Sequence, residues 1–265
     1  MNLRTKTLLI MMLIFVIFIA LIYILSNEIL VKGFVELEKE NVCKESRRAV
    51  DALYDEIYSL DKINYDWAAW NDTYEFIKDA NEEYIESNLI DSTFTALDLN
   101  VMLFFNVSGY LIYGKAFDLQ NESQIDVPDE LLEYIYEHDF LLYHNSTNSS
   151  IAGIILINGK IMMISSRPIL TSNDKGPIRG ALIMSRYLDE EKIKELSEIT
   201  HLPISMHLIN DSLLPESFRE NILSIGNKTF VHPLNKNTIT GFSVINLNLP
   251  VSRLKGDIGK ANTSL

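Results

Sequence analysis

One long apolar stretch near the N-terminus dominates the pattern of hydrophobic and polar positions. Residues 8–25 are 18 consecutive positions without a charge, nearly all of them Leu, Ile, Met, Phe or Val. A helix of that length is about 27 Å long, close to the hydrocarbon thickness of a bilayer. Arg4 and Lys6 precede the stretch and Glu28 is the first charge after it. The positive-inside rule therefore predicts a cytoplasmic N-terminus and an extracytoplasmic main domain.

A cleaved signal peptide is the alternative interpretation, because it also starts with a short basic region. The apolar stretch is longer than a typical signal-peptide core, and no small-x-small cleavage site lies near residues 25–27. We therefore expect residues 1–27 to be an uncleaved anchor and the chain to be a single-pass membrane protein that contacts the bilayer through residues 8–25.

Residues 28–60 contain no Pro and no Gly after Gly33, which predicts one long stalk helix. A short heptad pattern predicts either a coiled-coil homodimer through residues 43–60 or an amphipathic helix that lies on its own domain. Cys43 within it either bridges two protomers or is a small buried apolar residue. The heptad residues are Cys43, Val50 and Ile57 in one set and Ser46, Leu53 and Leu60 in the other.

The middle of the chain changes to a period of two, which is typical of strands. Asn158–Gly159 is the strongest hairpin signal, residues 106–109 form a second turn, and Pro128 starts a helix. A long helix followed by strand, strand, helix, strand, strand, strand is the order of a PAS-like antiparallel sheet, hence an α+β fold. The predicted strands are residues 101–105, 110–117, 152–157, 160–167 and 178–187.

A smaller α/β unit is predicted after this sheet. It comprises helices at residues 189–199 and 216–223 and strands at residues 204–209, 229–233 and 238–249. The expected organisation is an anchor (1–27), a stalk helix (28–60), a PAS/Cache-like unit (61–187), a smaller membrane-proximal α/β unit (188–250) and a C-terminal segment (251–265).

Charge and cysteine content exclude several function classes. The 265 residues carry a formal charge of −13, which argues against binding nucleic acid or lying on anionic lipid. The single cysteine, Cys43, excludes an internal disulfide framework, a Cys-rich zinc site and a CxxC redox pair.

Eight Asn-x-Ser/Thr triplets favour an exterior location, because they are potential N-glycosylation sites. An Asn-rich composition is the alternative explanation for their number. The triplets begin at Asn71, Asn106, Asn121, Asn145, Asn148, Asn210, Asn227 and Asn262.

No catalytic constellation is present in the sequence. It contains no P-loop, no HExxH and no GxSxG motif. The histidines do not fall at metal-ligand spacing with acids. We therefore expect no catalytic residue, no metal site and no cofactor. The histidines are His138, His144, His201, His207 and His232.

The better candidates are ligand-binding groups. Arg167, late in a central strand, can bind a ligand carboxylate bidentately, or it can be a surface or ion-paired arginine. Arg186 ends the next strand and is expected to pair with Asp189.

An aromatic box with carboxylates is the second candidate, and it suits a cationic or amine ligand. Trp67, Trp70 and Tyr74 share one face of a helix or of two short helical turns, and Asp66 and Asp72 lie beside them. The alternative is that the aromatics are core and the acids are helix caps, with Asp72 capping residues 73–75.

Two segments are similar to the signature of the CHASE4 family, whose members are extracytoplasmic sensor domains grouped with the PAS-like Cache domains. The first motif is residues 66–89 (DWAAWNDTYEFIKDANEEYIESNL), which Phe94, Leu97 and the strand at 100–105 follow. The second motif is residues 166–193 (SRPILTSNDKGPIRGALIMSRYLDEEKI). The resemblance spans about residues 40–250.

Asn71 and Ser185 depart from the family pattern, which favours Asp and Gly at these positions. Family members usually continue into a second membrane helix and a cytoplasmic kinase, cyclase or phosphodiesterase. The resemblance therefore implies an extracytoplasmic sensor that binds an unknown small molecule and signals through the stalk helix. A stand-alone membrane-anchored binding protein is the alternative; an extracellular enzyme lacks any supporting motif.

Overall fold

The computed structural model describes residues 2–27, 29, 32–209, 211, 214, 229–235 and 238–245. The described residues fall into two compact units. One lies within Met1–Arg48 and Ile225–Val244, and the other within Ala49–Ser224 and Ile245–Leu265.

The first unit contains an exposed apolar helix and a small hairpin. Helix α1 (Leu3–Ser26) has no buried residue, and its length and composition suffice to cross a membrane. Strands β7 (Thr229–Asn235) and β8 (Thr238–Ser243) pair antiparallel. Gly241 of β8 lies so close to the stalk helix that a Cβ on it would be 1.9 Å from Ser46 Oγ. This close approach therefore requires glycine.

Helix α2 (Lys32–Ala68) is the predicted stalk helix, and it extends eight residues beyond the predicted end. Leu53, Ile57 and Leu60 of the heptad pattern are buried in the core of the second unit. For these three residues, the helix is amphipathic and lies on its own domain, as the second of the two interpretations has it. The homodimer through residues 43–60 stays a prediction.

Short helices follow α2, and a side chain caps the N-terminus of two of them. The side chain of Asn81 caps the helix at 82–88 by accepting from Tyr84 N, and Asp189 caps the helix at 190–200 through Lys192 N. The helices are α3 (Asn71–Asp79), α4 (Glu82–Asn88), α5 (Asp91–Leu97), α6 (Asp129–Glu137) and α7 (Glu190–Thr200), with a 3-10 helix at Asp139–Leu141.

The six-stranded sheet of the second unit is antiparallel, with the order β3-β2-β1-β6-β5-β4. The predicted PAS-like order of strands and helix is confirmed; β3 and α5 are additions that the sequence pattern did not predict. The strands are β1 (Val101–Asn106), β2 (Leu111–Asp118), β3 (Ser123–Ile125), β4 (Ile151–Ile157), β5 (Lys160–Pro168) and β6 (Gly180–Tyr187).

Each face of the sheet has its own core, because alternate strand residues point to opposite faces. Phe104 and Leu182 belong to the core that includes α2–α5. Phe105 and Ile183, one residue further along, belong to the core that includes α6. Both faces are therefore covered, and the central strands β1 and β6 are buried almost throughout.

The prediction of a strand at residues 204–209 is wrong. The side chains there alternate between half-buried and exposed, as in a strand, but the segment pairs with no strand in the described part of the chain. Ile204 and Met206 pack on the core of α2–α5 instead. Hydrophobic alternation reports one-sided burial, which an unpaired segment can also have. The helix predicted at residues 216–223 lies outside the described residues.

Candidate functional site

A buried carboxylate of the stalk helix is bound by two side chains of β5 and by Ser150, the residue before β4. Asp61 is 5% exposed. Arg167 of β5 donates from Nε to Asp61 Oδ1 over 2.8 Å, and its Nη2 contacts Oδ2. Ser165 Oγ donates to Oδ1 and Ser150 Oγ to Oδ2, both over 2.8 Å. Four donors satisfy the carboxylate, which a buried charge requires.

Asn64, one helical turn further along α2, binds the backbone of the two adjacent strands. Its Nδ2 donates to Ser165 O of β5 over 2.9 Å and to Leu182 O of β6 over 3.0 Å. Asn64 is fully buried, and its Oδ1 accepts no hydrogen bond from the described residues. Leaving a buried acceptor without a hydrogen bond lowers the stability of the fold by about 1–3 kcal/mol. A donor placed beside this oxygen would therefore stabilise the fold.

On the other side of β5, His144 is held by two serines. Its Nδ1 lies 2.8 Å from Ser149 Oγ and its Nε2 lies 3.0 Å from Ser166 Oγ. Ser166 donates its proton to Leu141 O, so His144 Nε2 is the donor to Ser166 and Nδ1 accepts from Ser149. Burial, followed by the nearby Arg167 charge, lowers the pKa of His144 to about 4. The imidazole is therefore neutral at neutral pH.

The two sequence motifs meet, because the β5–β6 connection (residues 169–179) is hydrogen-bonded to the end of α2. Leu170 N donates to Ala68 O over 2.9 Å. Tyr65 OH donates to Asp174 over 2.8 Å, and this bond raises the pKa of Tyr65. The Tyr65 ring also lies under the Arg167 guanidinium, 5.4 Å from ring centroid to Cζ.

Helix α3 is bonded to the same connection through residues of its N-terminal half. Ser172 N donates to Asn71 Oδ1 and Asn71 N donates to Ser172 Oγ, each over 3.0 Å. Tyr74 OH donates to Pro177 O over 3.0 Å. The Arg179 guanidinium lies 3.6 Å from the centroid of the Tyr74 ring and donates to Tyr74 O over 2.7 Å. We call this region, formed by α2, α3 and the β5–β6 connection, the junction.

The predicted aromatic box is only partly assembled. Trp67 and Trp70 contact each other edge to face, with centroids 6.0 Å apart, and both are half-buried against the core. Tyr74 is buried, and its ring face is occupied by Arg179. Asp66 and Asp72 are exposed and form no ion pair within the described residues. Ligand binding by these residues stays a prediction.

Two expectations about individual residues need correction. Asp72 does not cap α3: the helix starts one residue earlier, at Asn71, after Trp70 in the capping position. Arg186 does not pair with Asp189, which caps α7. Arg186 lies on the strand face that packs on α2, so it pairs with Glu56 over 3.0 Å and Asp98 over 3.2 Å.

Sequence reasoning missed Asp61 and Asn64. Arg167 is ion-paired, as one of the two interpretations had it, but its partner lies in the stalk helix. One signal was available: Asn64 follows Ile57 by seven residues, so a polar side chain occupies a position of the apolar stripe. Within the described residues, no group of three or more His, Cys, Asp or Glu is placed to hold a metal ion.

The fold of the second unit is a long helix packed on an antiparallel PAS-like sheet. The family model of the CHASE4 domain matches residues 52–207, more than half of the chain. The chain therefore belongs to the CHASE4 domain family, a family of sensor domains.

One curated relative is the methanogenesis regulatory histidine kinase FilI of Methanothrix harundinacea (strain 6Ac). It is 31% identical over 171 residues, which cover 64% of this chain and 19% of the relative. The chain thus spans about a fifth of the length of this kinase.

Two solved structures resemble this chain at lower sequence identity. A domain of a sensory box/GGDEF family protein from Vibrio parahaemolyticus is 14% identical, with a TM-score of 0.47, over 77% of this chain and 97% of that one. The periplasmic sensory domain of the Campylobacter jejuni chemoreceptor Tlp1 is 13% identical, with a TM-score of 0.41, over 75% and 86% of the two chains.

Proposed function

We propose that this chain is the extracytoplasmic ligand-sensing part of a membrane signalling receptor. It binds a small molecule at the junction and transmits a conformational shift through α2. The single observation that carries this proposal is the hydrogen bonding of Asp61 and Asn64 to the adjacent strands β5 and β6.

The coupling follows from the positions of these bonds. Asp61 and Asn64 lie one turn apart on α2 and contact both strands that flank the β5–β6 connection. A ligand that moves this connection also moves the ends of β5 and β6, and it thereby changes the preferred position of α2 on the sheet. Because a ligand shifts an equilibrium only by its differential affinity for the two states, its contacts must differ between two packings of α2 on the sheet.

The junction offers the chemistry of a small-molecule site. Half-buried indole rings of Trp67 and Trp70 supply apolar surface, and the side chain of Arg167 is 17% exposed. A ligand carboxylate competes with Asp61 for this guanidinium.

The membrane side follows from the charges that flank α1. With Arg4 and Lys6 on the cytoplasmic side, the domain after α1 lies outside. The FilI relative extends well beyond the region that it shares with this chain. We therefore propose a receptor input rather than a stand-alone binding protein. The size of the native protein in its own membranes, measured after deglycosylation, tests this: a species clearly above 30.3 kDa is expected, and one at that mass favours the stand-alone protein.

Ligand screening of the full chain in detergent micelles tests the binding site. For small molecules that raise its melting temperature, the affinity is measured by calorimetry for the parent, Arg167→Gln, Trp70→Ala and the control Lys194→Gln. We expect at least tenfold weaker binding for the first two variants and no such loss for the control, whose side chain is exposed on α7, outside the junction. Unchanged affinity in both junction variants excludes the junction as the site.

Hydrogen exchange tests the transmission step separately. A saturating ligand is expected to change amide exchange in residues 49–68 of α2 as well as in residues 169–179. A change confined to the β5–β6 connection contradicts signalling through α2, even if the ligand binds where we propose.

A further inference from the structure

The structure discriminates among the Asn-x-Ser/Thr triplets, because it shows which acceptor side chains are already in use. Transfer of an oligosaccharide needs an accessible Asn amide and an accessible hydroxyl two residues later, in a surface segment. Three triplets, at Asn210, Asn227 and Asn262, lie outside the described residues. Five remain, at Asn71, Asn106, Asn121, Asn145 and Asn148.

In two of the five triplets, burial or hydrogen bonding in the folded domain already occupies a group that glycosylation requires. In the triplet at Asn71, Thr73 is fully buried and its hydroxyl is hydrogen-bonded to Tyr84 OH over 2.7 Å. In the triplet at Asn106, the side-chain oxygen of Asn106 accepts from Ser108 N and Tyr110 N over 2.9 and 3.0 Å and so shapes the β1–β2 turn.

Two further triplets are engaged in polar contacts. Asn121 Nδ2, the atom to be modified, donates to Asp118 Oδ2 over 2.7 Å. In the triplet at Asn148, the hydroxyl of Ser150 donates to the buried carboxylate of Asp61 over 2.8 Å. Modification at Asn148 would therefore draw on a hydroxyl that belongs to the Asp61–Arg167 pair.

In the remaining triplet, Asn145-Ser146-Thr147, the acceptor groups are not engaged. The Asn145 side chain is exposed, Thr147 is half-buried, and neither side chain makes a hydrogen bond within the described residues. The triplet lies in a bend between the 3-10 helix and β4. His144, just before it, is bonded to Ser149 and Ser166 and fixes the base of this bend.

We propose that Asn145 carries an N-linked oligosaccharide. The donor class is an oligosaccharide joined to a membrane polyprenol through phosphate, used by a membrane oligosaccharyltransferase. Asn145 Nδ2 forms a bond to the anomeric carbon, the bond from that carbon to the phosphate oxygen breaks, and the polyprenol phosphate leaves with the electron pair. The amide proton passes to a base of the transferase. This inference rests on the proposed extracytoplasmic location, where such transferases act.

Mass spectrometry of peptides from the protein purified from its own membranes tests the inference. A glycopeptide that contains Asn145 is expected, together with an unmodified Asn106 and Asn121. Asn145→Gln and Thr147→Ala are expected to remove one glycan mass from the full chain. Thr147→Ser, which retains the triplet, is expected to keep it. Asn148→Gln is the matched control three residues away and should leave the mass of the glycan unchanged.

An unmodified Asn145 in the native protein overturns the inference, and so does a glycan that persists in Asn145→Gln but is lost in Asn148→Gln. Labelling of Cys43, the single cysteine, with a membrane-impermeant maleimide separates this failure from that of the proposed location. If Cys43 is labelled in intact, reduced cells and Asn145 is unmodified, the location stands and only the glycan proposal is overturned. If Cys43 is labelled only after the cells are permeabilised, both the extracytoplasmic location and the glycan proposal are overturned.

Discussion

Asp61 of the stalk helix and Arg167 of β5 form a bidentate ion pair across 106 residues of sequence. The side chains are 7% and 17% exposed, so water screens the pair little. Ser150 and Ser165 complete the hydrogen bonding of the carboxylate. The pair therefore fixes both the rotation and the axial position of α2 on the sheet, and breaking it leaves a buried charge without a partner.

Removing one partner of this pair should be strongly destabilising. We expect Asp61→Leu to lower the free energy of unfolding of the full chain by about 3–5 kcal/mol, because the Arg167 guanidinium stays behind uncompensated. Asp66→Leu, an exposed carboxylate on the same helix, should cost less than about 0.5 kcal/mol. Denaturant unfolding in micelles measures both.

The double variant Asp61→Leu/Arg167→Met separates the charge effect from the loss of packing. Since it leaves no unpaired charge, it should be more stable than Asp61→Leu alone. A double variant as unstable as the single one would show that shape, rather than the unpaired guanidinium, accounts for the loss.

The stability of the fold should decrease as the pH falls, in part through His144. Burial lowers its pKa from the ordinary 6.5 to about 4, so the unfolded chain binds a proton at a higher pH than the folded chain does. The stabilisation from the neutral imidazole is therefore complete above pH 6.5, is lost between pH 6.5 and pH 4, and is absent below that. The full difference is about 3 kcal/mol.

Comparison with His144→Gln isolates this contribution from the carboxylates that titrate in the same window. Chemical unfolding at closely spaced pH values should show a steeper decline between pH 6.5 and 4 for the parent than for the variant. Parallel curves would contradict a neutral, buried His144.

Local patterns were sufficient to predict the order of the five long strands of the sheet and of α6, although not β3 or α5. Asn158–Gly159 and the turn that contains Gly109 have the positive φ angles that hairpin turns of these kinds need, and both hairpins are present. The PAS-like order follows from such signals, because each is contained within a few residues. The strand predicted at residues 204–209 failed because alternation alone does not supply a neighbouring strand.

The centre of the candidate site was out of reach of the same reasoning. Asp61 and Asn64 interrupt an apolar stripe, but their partners lie about 100 residues away, on strands whose register no local pattern sets. The same holds for Tyr74, whose spacing indicated a buried face but not that Arg179 would cover its ring. Spacing predicts which residues share a face; it does not predict what lies opposite.

Gly180 should tolerate no side chain. A Cβ on it would lie 1.9 Å from Phe105 O in the neighbouring strand, and the backbone of β1 cannot yield without losing its pairing to β6. We expect Gly180→Ala to destabilise the chain by about 2 kcal/mol or more. Gly33→Ala is the control: a Cβ added there would have no neighbouring atom within 4 Å, and Ala is the better helix former. A neutral Gly180→Ala would contradict the β1–β6 register.

Arg179 should hold the β5–β6 connection against α3. Its guanidinium donates to Tyr74 O and to Glu75 and lies over the Tyr74 ring, contacts that together contribute about 1–2 kcal/mol. Arg179→Ala should therefore speed amide exchange in residues 169–179 several-fold. Arg179→Lys, which keeps the charge but not the planar group, should have an intermediate effect. Lys175→Ala, in the same connection, is the control and should leave exchange unchanged. Equal exchange in Arg179→Ala and Lys175→Ala would show that the remaining bonds at Asn71 and Tyr65 are sufficient to hold the connection.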